Sequence, residues 1–324
     1  MQSGHKTSLK RLLKDRVDFE VPLGRYTSLR VGGRAWAVAR PADVHEVRAL
    51  LGFLADTGMA AFPLGEGTNL LVSDSGFDGV VILLKDGFTS AHFEREPSGT
   101  VVCVAGAGAH LSMVQRFLLQ HGFGGFEFAA GIPGSIGGSV RMNAGTAAGE
   151  MKDVVLWIEW VTRDEGCLRF YGNELSFSYR NLDLPEGAVV VRAALKVEAR
   201  DPDCIRREIR GLMKKRLQTQ PIGKRSAGSV FRNPPGFAAG RLIEQAGLKG
   251  TREGAAVVSE KHANFILNEG SATATDIFRL IQRIRRDVHD QLGVRLIPEI
   301  VFLGSFGANG KAASETALSY EKIS

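Results

Sequence analysis

Residues 131–138 read Gly-Ile-Pro-Gly-Ser-Ile-Gly-Gly, and no other stretch narrows the possible folds of this chain as much. Four glycines, a proline and a serine take six of these eight positions. Glycine forfeits backbone entropy inside helices and strands, and proline removes a donor, so the pattern predicts a loop throughout. Phe126, Phe128, Ile132, Ile136, Val140 and Met142 surround and punctuate it, which argues for a loop held in place and against a surface linker. Such a loop can bring backbone N–H groups up to a bulky anion. A second loop, Leu64-Gly65-Glu66-Gly67-Thr68-Asn69, has the same character. The pair points to one large ligand carrying a pyrophosphate, with plain glycine-rich turns as the alternative for either loop alone.

The two commonest owners of such loops fail on residues. A dinucleotide fingerprint needs G-x-G-x-x-G between strand and helix; the nearest candidate, Gly106-Ala107-Gly108, has Leu111 where the last glycine belongs. No G-x-x-x-x-G-K-[ST] is present. With 324 residues, 44% hydrophobic and 23% charged, the chain is long enough for two soluble domains. Its net charge of +6 suits an anionic ligand as well as nucleic acid. Against nucleic acid, aromatics are 8% and form no strip interleaved with basic residues. The densest basic cluster, 206–216, lies on an expected helix and reads as a solvated face. Cys103, Cys167 and Cys204 are odd in number and far apart, with no metal spacing, which points to a reducing cytoplasm and no metal site. No apolar run approaches the about 20 residues of a membrane span.

Periodicity predicts helices at 43–58, 110–121, 239–246 and 275–292, and a basic amphipathic helix beyond Pro202 with Ile205, Ile209 and Leu212 on one face. Strands are expected at 61–64, 70–73, 80–84, 101–105, 154–162, 168–171, 189–198, 255–259, 264–267 and 294–303. A composition shift at Arg200-Asp201-Pro202 divides the chain. The expected plan is an N-terminal arm at 1–20, one domain at 21–200, a smaller α/β domain at 201–306 and a flexible tail at 307–324.

Eight segments, in order, carry a resemblance. They are Tyr26–Gly33 (YTSLRVGG), LGEGTNLLVSDSGFDG at 64–79, FEFAAGIPGSIGGSVRMNAG at 126–145 and Tyr179-Arg180. They continue with GSVFRNP at 228–234, AGRLIEQAGLKG at 239–250, VSEKHANFILNEG at 258–270 and Pro298-Glu299. Across about residues 20–305 the chain resembles the UDP-N-acetylenolpyruvoylglucosamine reductase (MurB) family of peptidoglycan precursor synthesis. The resemblance implies an α+β fold, with an FAD-binding domain of the vanillyl-alcohol-oxidase type followed by a smaller α/β substrate-binding domain. It implies bound FAD, NADPH as co-substrate, and a UDP-sugar substrate that shares one site with NADPH in turn.

By the same resemblance, FAD is expected against Arg30, Gly65, Glu66, Gly67, Thr68, Asn69, Gly131, Ile132, Pro133, Gly134, Ser135, Gly137, Gly138 and Asn143. Arg180 is implied as the catalytic arginine, and its planar fork suits a carboxylate. Ser229 is implied as the proton donor; a serine is a weak acid, but an enolate carbon is a strong base. Glu299 is implied as the third catalytic residue, able with Arg180 to polarise the substrate carboxyl. Tyr179, Arg216 (with Gln220), Asn233, His262 and Asn264 are the implied substrate contacts. An ordinary packing role stands beside each of these, most strongly for His262.

The chain departs from the family pattern in places. Thr146-Ala147 follows Asn143-Ala144-Gly145 where many members have a tyrosine, and Thr219 stands where some place a lysine, with Lys224 or Arg225 as substitutes. The short 180–189 stretch resembles the subtype without an extended substrate-covering loop. Two other readings remain at this point. One is an oxidase or dehydrogenase of the wider flavoprotein group, against which the matches at 228–234, 258–270 and 298–299 speak. The other is a basic protein that binds nucleotides or RNA without catalysis.

Overall fold

The structure is a computed structural model that describes residues 2–307. It divides into two compact units that alternate along the chain. Unit 1 takes residues up to 19, then 37–66 and 79–216; unit 2 takes 20–36, 67–78 and the chain from 217 onward. This differs from two consecutive blocks meeting near residue 200. Early segments are drawn into unit 2 by pairing with late ones: Leu70–Val72 runs parallel to Val301–Leu303, and Asn268 Nδ2 donates to the Leu29 carbonyl at 2.8 Å. Hydrophobic periodicity reports which face of an element is buried, not which distant segment it pairs with, so interleaving of this kind leaves no mark in composition.

Unit 1 is built on a five-stranded antiparallel sheet. Its strands run in the order Gly166–Tyr171, Val155–Thr162, Val189–Lys196, Val101–Gly106 and Ala91–Arg95. The first two form the expected hairpin. Helix Val44–Thr57 buries Val47, Leu50, Leu51 and Leu54; Asp43 caps its start by accepting from Glu46 N–H, and Gly58 ends it in the left-handed conformation. The expected arm is in fact helix Gln2–Leu13. Leu9 and Leu13 are fully buried, and the His5 ring meets Phe53 edge-on at 5.9 Å. Its apolar stripe is only a few residues wide and hides among lysines, which explains why it does not stand out in the sequence. The expected tail lies, from residue 308 on, outside the described residues.

Unit 2 packs helix Ala274–Leu292 and helix Ala239–Gln245 with a three-stranded antiparallel sheet of Arg252–Glu253, Ala256–Val258 and Ile266–Asn268. The expected stripe Ile277, Ile281, Ile284 and Val288 is at most 1% exposed. A capping box of Thr273 and Asp276 starts the long helix, and Asp74 adds bonds to Ala274 N–H and Thr275 N–H, both at 2.9 Å. The strand expected at 294–303 is regular only over Val301–Leu303. Pro298 has no N–H for a ladder, and its segment makes an isolated bridge to Phe231 instead.

The cysteines are free, and burial pushes the Cys103 thiol up to about 12. No helix among the described residues is long and apolar enough to cross a membrane.

Candidate active site

In unit 1 the glycine-rich segment is stitched to residues 107–111. Leu111 N–H donates to Gly134 O at 3.0 Å, Ile136 N–H to Ala109 O at 2.9 Å and Gly137 N–H to Ala107 O at 2.8 Å. The loop ends earlier than expected: Ile136–Arg141 is a short helix, N-capped by Ser135, whose Oγ accepts from Gly138 N–H at 3.4 Å. Glycine is tolerated inside this helix because of what lies against it. A Cβ on Gly137 would fall 2.7 Å from the Cβ of Ala107. A Cβ on Gly65 would likewise fall 2.6 Å from Ser135 Oγ, so the Gly65 end of the second loop sits directly against the first. Glu66, next in line, pairs with Lys85 at 3.2 Å and His110 at 3.5 Å.

The N–H groups of Ile136, Gly137 and Gly138 are therefore spent inside the protein, and the segment is a thin wall more than a cradle of free amides. Gly131 and Gly138 are exposed on it, with Pro133; Ile132 is held by its N–H to Ala129 O at 2.9 Å. Helix Pro202–Thr219 lies alongside: a Cβ on Gly131 would meet Met213 Sδ at 2.6 Å and Arg216 Nε at 3.3 Å. Arg216 Nε is buried and makes no hydrogen bond, and burial pushes the guanidinium below its ordinary value. A buried guanidinium nitrogen without a partner, beside an exposed glycine wall, fits a large anionic group. FAD is a group of that kind.

Tyr179 and Arg180 form the two-residue tip of a hairpin closed by Ser178 and Asn181. Arg180 has φ +59°, and its Nη2 donates to Gly145 O at 3.3 Å. Its guanidinium lies 5.0 Å from the centre of the Tyr179 ring, which is itself 46% exposed. Asn143 is fully buried with φ +41°. Its Nδ2 donates to Ser178 O at 3.0 Å and its Oδ1 accepts from Lys152 N–H at 3.0 Å. One end of its amide thus holds the hairpin and the other the short helix Met151–Val154. Arg141 and Asn181, which sequence patterning does not single out, complete that support: Arg141 donates to Asn181 Oδ1 and to Leu182 O.

In unit 2, Gly67 has φ +60°, and a Cβ there would fall 2.1 Å from Tyr26 O. Half-buried Thr68 leads to Asn69, whose Nδ2 donates to Glu299 O at 3.1 Å while its carbonyl accepts from Val301 N–H at 3.0 Å. Arg30 is exposed, with φ +59°, and donates to Arg25 O at 2.9 Å. Glu299 N–H donates to Val230 O at 2.7 Å, so Glu299 and Ser229 lie on neighbouring segments, both half-buried. Asn233 Oδ1 accepts from Ala239 N–H at 3.0 Å, at the start of helix Ala239–Gln245. His262 Nδ1 accepts from Asn264 N–H at 3.2 Å, and burial foremost pushes its imidazole below the ordinary value. The five expected substrate contacts do not share one unit: Tyr179 and Arg216 belong to unit 1, and Asn233, His262 and Asn264 to unit 2.

A family model for an FAD binding domain matches residues 35–171, and one for the UDP-N-acetylenolpyruvoylglucosamine reductase C-terminal domain matches 220–303. A UDP-N-acetylenolpyruvoylglucosamine reductase of Acidiphilium cryptum is 43% identical, over 90% of this chain and 93% of its own length. The chain belongs to the UDP-N-acetylenolpyruvoylglucosamine reductase family. The Caldanaerobacter subterraneus reductase is 42% identical over 91% of this chain and 97% of its own length. Among solved structures, the Thermus caldophilus reductase superposes with a TM-score of 0.77 at 36% identity, over 89% of this chain and 99% of that one. Members of this family are FAD-containing oxidoreductases, and the fold here is an FAD-binding domain with the reductase C-terminal domain.

Proposed function

We propose that this chain reduces the enolpyruvyl ether of UDP-N-acetylglucosamine enolpyruvate to the lactyl ether of UDP-N-acetylmuramate, with NADPH as reductant, in cytoplasmic peptidoglycan precursor synthesis. What supports the reading, beyond family membership over nine-tenths of the chain, is the pairing of the Ser229 and Glu299 segments through Glu299 N–H and Val230 O at 2.7 Å. The three free cysteines fit a reducing compartment.

FAD, when bound, would supply the hydride chemistry that links NADPH to C3 of the enolpyruvyl group. The chain's own residues then have three tasks. Arg180 binds the substrate carboxylate in a planar, permanently charged fork, which offsets the negative charge that hydride addition pushes toward it. Ser229 donates its hydroxyl proton to C2, completing the saturated ether, and regains a proton from solvent. Glu299 polarises the carboxyl group.

In unit 1, FAD would be held by Gly65, Glu66 and the 131–138 wall, with Arg216, expected from sequence as a substrate contact, as its cation. Asn143 would act through the hairpin it supports. Tyr179, Asn233 and His262 are read as substrate contacts.

Protein recovered from the cytosolic fraction of its source cells is expected to be yellow and to release FAD on denaturation. A colourless protein that FAD cannot reconstitute would sink the reading. NADPH and the UDP-sugar are further read as occupying one site in turn. Steady-state kinetics should then show each substrate inhibiting competitively against the other at high concentration; ordered binding without such inhibition would separate the two sites.

A further inference from the structure

Asn264 is read from sequence as a substrate contact, yet its side chain is turned inward. It is 3% exposed. Its Oδ1 accepts from Phe231 N–H at 2.9 Å, and its Nδ2 donates to Phe231 O at 2.8 Å. Its own carbonyl accepts from Val230 N–H at 2.8 Å. A main-chain N–H can only donate and a carbonyl can only accept, so these partners fix which end of the amide is which. One residue thus makes three hydrogen bonds to the two residues that follow Ser229.

The other edge of the same segment is gripped as well. Val230 O accepts from Glu299 N–H at 2.7 Å, and Arg232 N–H donates to Ile297 O at 2.9 Å. Upstream of Ser229, Ala227 is buried in the same core and Asn268 N–H donates to Arg225 O at 2.9 Å, but Gly228 stands between, in the left-handed region at φ +73° with open space where a Cβ would be. The hydrogen bonds nearest Ser229 are thus those on its C-terminal side, at Val230 and Phe231. Phe231, 1% exposed, anchors that side in the core of unit 2.

We infer that Asn264 is a positioning residue: its amide acts as a surrogate strand partner that fixes the Val230–Phe231 backbone and through it the aim of the Ser229 hydroxyl, without touching substrate. The inference rests on the proposed role of Ser229 as proton donor. A hydroxyl displaced by about 1 Å from a reacting carbon loses on the order of 100-fold in rate. Binding of the UDP-sugar has no reason to change.

The test uses full-length FAD-loaded enzyme carrying Asn264→Asp, which keeps the shape and the acceptor but loses the donor to Phe231 O, and Asn264→Ala, which loses both. The expected result is a fall in kcat of about 10- to 100-fold. KM for the enolpyruvyl substrate, and its dissociation constant from titration of the flavin absorbance, should stay within about twofold. Bleaching of the flavin by NADPH should keep its wild-type rate, and the solvent deuterium isotope effect on kcat should rise as proton donation becomes limiting. A rise in KM and dissociation constant with kcat unchanged would make Asn264 a substrate contact and overturn the inference. Wild-type values throughout in a folded variant would overturn it too. So would loss of the fold in both variants, since the amide would then serve the stability of the unit and not the aim of Ser229. Ser229→Ala measured in parallel separates the two levels: normal turnover there would defeat the proton-donor reading itself, whereas its loss alongside a pure KM effect at Asn264 would defeat only the positioning role.

Discussion

Ser229→Ala is expected to bleach its flavin with NADPH at the wild-type rate and to turn over the enolpyruvyl substrate about 100 to 10,000 times more slowly, the span of a positioned general acid. The two halves of the cycle separate because only one of them needs a proton. Transfer of hydride from NADPH to the cofactor involves no group on Ser229. Hydride arrival at C3 of the substrate leaves electron density at C2 and on the carboxyl group, and that density collapses back unless a proton meets it. Water can supply one, but without fixed aim, and the lost alignment is what slows turnover. The substitution removes one oxygen from a half-buried position that follows Gly228, so the fold should be indifferent to it and the thermal midpoint unchanged. Rapid-mixing absorbance for the first half and steady-state turnover for the whole cycle provide the measurement. Normal steady-state turnover would remove Ser229 from its role.

Much of this arrangement is written in local pattern. The helices at 44–57 and 274–292 follow from their apolar stripes, and both stop at a glycine in the left-handed conformation, Gly58 and Gly293, because only glycine adopts it without strain. The hairpin around 163–165 follows from alternation on either side of a turn. What is not local is not legible. Gly137 and Gly138 read as loop, yet they enter a short helix, and what asks for glycine at 137 is the close approach of Ala107, thirty residues away. The 294–303 run reads as one strand, but Pro298 interrupts the ladder and the partner segment at 230–232 decides where pairing resumes. Asparagines show the limit most clearly. Asn69, Asn143 and Asn264 sit in segments that resemble ligand-binding motifs, and sequence reasoning gives their amides to a ligand. In the fold those amides go to the carbonyls of Glu299, Ser178 and Phe231. Each of those carbonyls belongs to, or lies within two residues of, a proposed catalytic residue. A motif therefore records that a residue matters near a site, while whether it touches the ligand or aims a neighbour depends on backbone partners distant in sequence.

Arg180→Lys should keep the positive charge and still lower kcat/KM for the enolpyruvyl substrate about 100- to 1,000-fold, the effect of removing one fixed donor from a developing oxyanion. The backbone gives the reason to expect so much from a conservative change. Arg180 is held at φ +59° at the tip of a two-residue hairpin, a conformation that costs a non-glycine residue roughly 1–2 kcal/mol. Glycine would be the cheaper choice, so the side chain itself is what the turn keeps. The hairpin is braced from beneath by fully buried Asn143 and by Arg141, and the guanidinium is steadied by Gly145 O at 3.3 Å and by the Tyr179 ring. A guanidinium so fixed presents two parallel N–H groups in one plane. An ammonium on a flexible stem presents a point charge that must be ordered anew at each turnover. Lysine tolerates the same backbone no worse than arginine, so thermal stability should not move, and reduction of the flavin by NADPH should stay near wild type. The loss should therefore appear in transfer to the enolpyruvyl substrate alone, with stability as the internal control. Near-wild-type kcat/KM in Arg180→Lys would show that a charge suffices there, and would take the bidentate hold on the carboxylate away from Arg180.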